Sequence, residues 1–443
     1  MKKQIIIILF ILIGFCVFNC TAQETEAKID PAEQQEVVKS IGDILEKSYV
    51  FPEVAKKMAA HIRQKLKKGK YKGIILPQNF ANRLAADLRE ISKDKHIRVS
   101  FAPEIVSRMR KAEKEEDDSE IIKEQIKRGR KSNFGFKEVK ILTGNIGYLN
   151  FTQFAPAWYA GRTAAAAMNF LANCDALIID MRQNGGGDPG MIQLVTSYLY
   201  KGDDEVHLNN FYWRPGDKNT QTWTLPHVPG PRMPDIDAYV LTSQRTFSAA
   251  EEFSYNLKNL KRATLVGETT GGGAHPGGPR IVNDHFIINV PSGRAINPIT
   301  NTNWEGVGVK PHVEIPQEKA LLTAHKMALQ KLAAKTEDKR ETFIYEWYIK
   351  GIEAQLQPVT VAPEVLKAYA GKYGPRTIIF ENDELYYQRE GRPKFKMIPL
   401  SEDLFMFKEI DYFRLAIVKE NGQVTRIVGM YDNGRSDENP KDK

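Results

Sequence analysis

From residue 145 onward the chain alternates short apolar runs with helix-period segments, and no other feature constrains its fold as much. "IGYLNF", "ALIID", "AYVLT", "ATLVG" and "HFIINV" read as strands, and "GRTAAAAMNFLA", "MIQLVTSYLY" and "SAAEEFSYNL" read as helices between them. Strands that alternate with helices call for an α/β unit built on a largely parallel sheet. The second strand runs straight into "DMRQNGGGDP", Asp180 to Pro189. Three successive glycines carry a large backbone-entropy cost, so bare backbone is needed immediately after a buried strand.

The remainder of the chain frames this unit. Of its 443 residues, 42% are hydrophobic and 27% charged, the balance of a globular protein with a sizeable core. The net charge of +8 comes from 63 basic residues against 55 acidic ones, and no nucleic-acid-binding motif accompanies it, so no nucleic-acid partner is expected. Residues 1–22 have two lysines, an apolar run and then small residues, which is the layout of a secretory signal. The run is shorter than the ~20 apolar residues of a membrane span. Two processing routes remain open: cleavage after Ala22, giving a soluble protein, or lipidation of Cys20 within "VFNC", giving a membrane tether. Either way the protein is expected to be exported, periplasmic or associated with the outer membrane. Cys174 is the only other cysteine of the mature chain, so no disulfide framework is expected.

The expected organisation is a signal segment over 1–22, a helical bundle over 30–110, a charged connector over 111–144, and the α/β core over 145–316. A helical connector over 317–360 and a small β-rich domain over 361–443 follow. Neither "H-E-x-x-H" nor paired cysteines occur, so neither metal nor cofactor is expected. The oligomeric state is not legible.

Within the core, Ser248 begins a helix after the strand "AYVLT". A serine there serves as an N-cap or as a nucleophile backed by the positive end of the helix, and Glu251 and Glu252 in the first turn suit both. Amide hydrolysis through a serine requires N–H donors around the developing oxyanion. Gly185, Gly186 and Gly187 are expected to form one wall of that site, with Ala249 N–H as the other donor. Asp180 and Arg182 are expected to shape the glycine turn, and Asp94 to orient Lys95 or cap a turn, without a chemical role.

Five blocks, "GNIGYLNF", "LIIDMRQNGGG", "LTSQRTFSAAEEF", "LVGETTGGG" and "NTNWEGVGVKPHVEI", resemble in order and spacing the C-terminal-processing (tail-specific) serine peptidase family. That family includes the tricorn core and the repeats of interphotoreceptor retinoid-binding protein. Upstream, "LREISKDKHIRVSF" is similar to the helical domain of the retinoid-binding-protein branch. The resemblance implies a ClpP/crotonase-like core, with Ser248 at the nucleophile position and peptides or protein tails as substrates. The lysine base of tail-specific members is missing, because Gly273 stands at its position. By resemblance to the tricorn branch, His96 is the first choice of base, with Glu305 as its orienting carboxylate, and His275 is the second choice. Lys95 replaces the serine that precedes the histidine in tricorn. Too few residues separate Phe101 from Asn145 for a PDZ domain. The alternative on the same fold is a binding module for an apolar, retinoid- or lipid-like ligand, with Ser248 idle.

Overall fold

A computed structural model describes residues 28–115 and 117–442. The signal segment and Cys20 lie outside the described residues. No helix among the described residues is long and apolar enough to cross a membrane.

Two compact units emerge, the first made of residues through Lys140 together with Tyr148–Asn173 and Ile179–Gln317. Its N-terminal helices, Pro31–Ser48, Pro52–Lys67 and Pro77–Ser92, each open on a proline, whose missing N–H is no loss in a first turn. Asp30 caps the first of them by accepting the N–H of Glu33 at 2.8 Å. Their apolar faces (Val37, Ile41, Leu45, Met58, Phe80, Leu84) share one core with Ile97, Phe286 and Ile288. The bundle is thereby fused to a three-stranded antiparallel sheet in the order Arg98–Phe101, Phe286–Pro291, Gly277–Ile281. This fusion sets the position of the loop that carries Asp94 and His96.

The central sheet has six strands, ordered Val313–Glu314, Ala263–Gly267, Asp237–Thr242, Ala176–Asp180, Ile146–Phe151, Phe136–Leu142. Its first two pairings are parallel, from Val313↔Val266 and from Ala238↔Ala263. All five residues of Ala176–Asp180 are buried, as a strand covered on both faces must be. A third sheet runs Gly293–Ile296, His207–Trp213, Lys218–Trp223.

The segment read as a charged connector is more ordered than its composition suggests. It contributes to helix Pro103–Glu115, then forms helix Ser119–Lys131, which has no buried residue, and strand Phe136–Leu142. In that strand only Phe136 is fully buried, so its charged residues hid it from a search for apolar runs.

The second unit, largely Glu318–Lys443, carries most of helix Gln317–Lys335, helices Lys339–Leu356 and Pro363–Tyr369, and two antiparallel sheets of four and five strands. Tyr369, Tyr373, Phe405, Phe407 and Phe413 form its core. The expected β-rich tail is present.

Candidate active site

Strand Asp237–Thr242 leads through a tight turn into helix Ala249–Asn259, and side chains pin the turn to the glycine loop. Ser243 Oγ donates to Arg182 O at 2.6 Å, Thr246 Oγ1 to Met181 O at 2.8 Å, and Phe247 N–H to Asn184 O at 3.0 Å. Ser248 sits at the helix entrance with φ 56° and ψ −122°. These angles suit glycine at the first central position of a type II′ turn, and a serine held there stores about 1–3 kcal/mol of strain.

Glu251 holds this geometry. Its buried carboxylate accepts the N–H of Ser248 (2.9 Å), Gly272 (2.6 Å) and Gly273 (2.8 Å), and the Thr270 hydroxyl (2.5 Å). Burial pushes its pKa up, and these hydrogen bonds oppose the shift. Glu252 does something different: it is buried, Oε1 has no hydrogen bond, and burial pushes its pKa up to about 8.

The glycine loop is tied down from both sides. Arg182 pairs with Asp180 at 2.6 Å, and Tyr148 donates to the same carboxylate, consistent with the turn-shaping role expected of Asp180 and Arg182. Gly185 N–H donates to Thr152 O (3.1 Å) and Gly186 N–H to Asn184 Oδ1 (2.9 Å). These two donors are consumed in holding the loop, which corrects the expectation that all three glycines face an oxyanion. The N–H groups of Gly187 and Ala249 donate to nothing among the described residues. Gly186 instead supplies room: with φ +100°, a Cβ there would lie 2.7 Å from Ser248 Cβ and 2.8 Å from Ala249 N.

Both candidate histidines stand near one another, around a carboxylate that the sequence reading assigned no chemistry. Asp94 is buried; its Oδ2 lies 3.0 Å from His275 Nδ1 and accepts the Tyr49 hydroxyl at 3.2 Å, while Oδ1 accepts His96 N–H at 2.9 Å and lies 3.7 Å from His96 Nδ1. Burial raises its pKa, but the contacts with His275 and His96 outweigh that and hold it well below the usual carboxylate range. Glu305 is found beside the other imidazole, with Oε2 3.4 Å from His275 Nδ1 and accepting Ala274 N–H, and no hydrogen bond joins it to His96. Burial, then the Asp94 charge, pushes the Glu305 pKa up. Glu305, expected behind His96, lies instead against His275, and Asp94 is the carboxylate in ion-pair contact with the His96 ring.

Neither ring nitrogen of His96 has a hydrogen bond. The ring rests on Phe247, the residue before Ser248, with centroids 4.7 Å apart. A Cβ at Gly273, where the lysine of the tail-specific pattern is missing, would lie 2.3 Å from Phe247 Cζ and 2.8 Å from His96 Cε1. The space a side chain would take at 273 is filled by those two rings. Asp94, His275 and Glu305 also bring one donor atom each within 4.8 Å of one another, a grouping open to a divalent ion, although hydrogen bonds within the protein already engage all three.

A strained serine at a strand–turn–helix junction, beside a glycine loop and a carboxylate-backed imidazole, defines an α/β core of the serine-peptidase type. Residues 145–315 match peptidase family S41, and residues 31–132 match the N-terminal domain of Peptidase_S41 in eukaryotic IRBP. The chain carries a peptidase family S41 domain together with the N-terminal domain that accompanies it. Among solved structures it is similar to an S41 protease of Bacteroides fragilis (21% identity, 42% of this chain and 52% of that one, TM-score 0.37). It is also similar to the photosystem II D1 C-terminal processing protease (21%, 41% and 48%, TM-score 0.34) and to a peptidase of Parabacteroides merdae (16%, 68% and 97%, TM-score 0.47). The chain spans about half the length of the first two.

Proposed function

We propose that the protein is an exported serine peptidase acting on peptides or protein tails, with Ser248 as nucleophile and His96 as general base. The observation that carries this reading is the space at Gly273: Phe247 and His96, the latter with both ring nitrogens unengaged, lie where a side chain at 273 would begin. His96 takes the proton of Ser248 Oγ as the oxygen attacks the scissile carbonyl. The N–H groups of Ala249 and Gly187 stabilise the oxyanion, and the imidazolium returns the proton to the leaving amine. Water then hydrolyses the acyl-enzyme by the reverse sequence. Asp94, 3.7 Å from His96 Nδ1, offsets the charge that develops on His96, and Glu305 acts one step removed, through His275. Export rests on the layout of residues 1–22, with the soluble and Cys20-lipidated forms told apart by the mass of the mature N-terminus.

The binding-module reading draws support from an apolar cavity described below, but a ligand carrier has no use for a strained serine. Labelling with a fluorophosphonate, mapped by peptide mass, separates the two. Modification of Ser248 that is lost in Ser248→Ala and His96→Ala, and kept in His275→Ala, supports the assignment. A folded wild type that resists the probe refutes it.

A further inference from the structure

The first unit contains a cavity of about 840 Å³, within the range of small-molecule sites. Two of its walls continue directly from the candidate site: Pro189 follows Gly187 by two residues, and Pro276 follows His275. Phe211 and Trp213 of strand His207–Trp213 form another wall. Met109 and Ala112 of helix Pro103–Glu115 cover it. The remaining side is strand Gly277–Ile281, which among the described residues pairs only with Phe286–Pro291 and is the edge of its sheet. An edge strand presents backbone groups that an added strand can pair with.

We infer that this cavity is the selectivity pocket of the peptidase, binding substrate as an extended peptide laid along Gly277–Ile281, with a bulky apolar side chain held between Trp213 and Ala112. The inference rests on the peptidase reading of Ser248. An edge strand favours a peptide over a free lipid, which has no backbone to pair with it. Charge does not select: Glu113 and Asp118 on the helical side are balanced by Lys218 and Arg280 on the strands. Selection therefore falls to apolar shape, through a helical segment that composition alone marks as a solvated connector.

The test compares wild type, Ala112→Trp and Trp213→Ala in full-length mature protein on a proteome-derived peptide pool, with cleavage sites read by mass spectrometry. Fluorophosphonate labelling at Ser248 first establishes that each protein has an assembled nucleophile. Wild type is expected to favour sites flanked by large apolar residues. Filling the pocket in Ala112→Trp should lower cleavage at those sites by roughly tenfold or more and shift preference to small residues. Opening it in Trp213→Ala should relax the preference, and this variant decides the matter if the tryptophan insertion prevents folding. Labelled proteins that share one cleavage profile, or that cleave nothing, overturn the pocket assignment. A folded wild type that does not label overturns the peptidase reading beneath it.

Discussion

Replacing Gly273 by alanine isolates the claim that two rings fill the space of the missing lysine. The new Cβ would lie 2.3 Å from Phe247 Cζ, 2.5 Å from Phe247 Cε2 and 2.8 Å from His96 Cε1, all well inside contact distance. The backbone at 273 has no positive φ, so the substitution adds crowding without backbone strain. Overpacking of this kind costs about 1–3 kcal/mol. At about 2–4 °C per kcal/mol for a unit of this size, the melting temperature should fall by roughly 2–12 °C. The effect on chemistry should be larger, because Phe247 adjoins Ser248, and a displacement of about 1 Å at a reacting group costs on the order of 10²-fold. Differential scanning fluorimetry gives the first quantity and the rate of fluorophosphonate labelling the second. Gly202→Ala is the control, since its Cβ would meet nothing nearer than 3.6 Å. A Gly273→Ala protein that melts and labels like wild type would show that the rings do not occupy this space, and the case for His96 would lose its main support.

Other consequences follow from the same contacts. Gly186→Ala forces a Cβ against Ser248 and the Ala249 nitrogen at φ +100°, so it should destabilise by more than Gly273→Ala, by about 3 kcal/mol or more, and abolish labelling; thermal melts rank the two. Asp94→Asn removes the charge behind His96 and should slow labelling by roughly 10²–10⁴-fold while the protein stays folded by circular dichroism; labelling at the wild-type rate would return Asp94 to a capping role. Burial lifts Glu252 from an ordinary 4.5 to about 8, so the folded chain holds a proton there that the unfolded chain has released. The stability it contributes is present below about 4.5 and is lost as pH rises through about 8. Glu252→Gln should therefore flatten the fall in melting temperature over that window, with a gain on the order of 5 kcal/mol at its upper end; parallel pH dependences in the two proteins would show that Glu252 is not the group responsible.

The features legible in the sequence are those that local order encodes. Period-2 and period-3.6 patterns mark the strands and helices of the core, and the Ser248 junction follows from a strand, a turn and a helix start within a dozen residues. The three glycines announce a loop that tolerates no side chains, and at Gly186 the reason is the closeness of Ser248. Local order did not show where the donors of that loop go: Gly185 is spent on Thr152 and Gly186 on Asn184, leaving only Gly187 and Ala249. Strand Phe136–Leu142 escaped for a related reason, since an edge strand with exposed charged residues has no apolar run to betray it.

The sequence by itself therefore determined the class of core, the serine and the short roster of imidazoles and carboxylates. Only the tertiary structure decided which carboxylate stands beside which imidazole. Asp94 and His275 are 181 residues apart and meet at 3.0 Å, and Glu251 reaches 21 and 22 residues ahead to the N–H groups of Gly272 and Gly273. Such pairings are settled by how the helical bundle fuses to the Arg98–Phe101 sheet and brings its loop beside the core. Backbone periodicity carries no record of that docking, because a side chain's partner across the fold depends on the placement of whole elements and not on its neighbours along the chain.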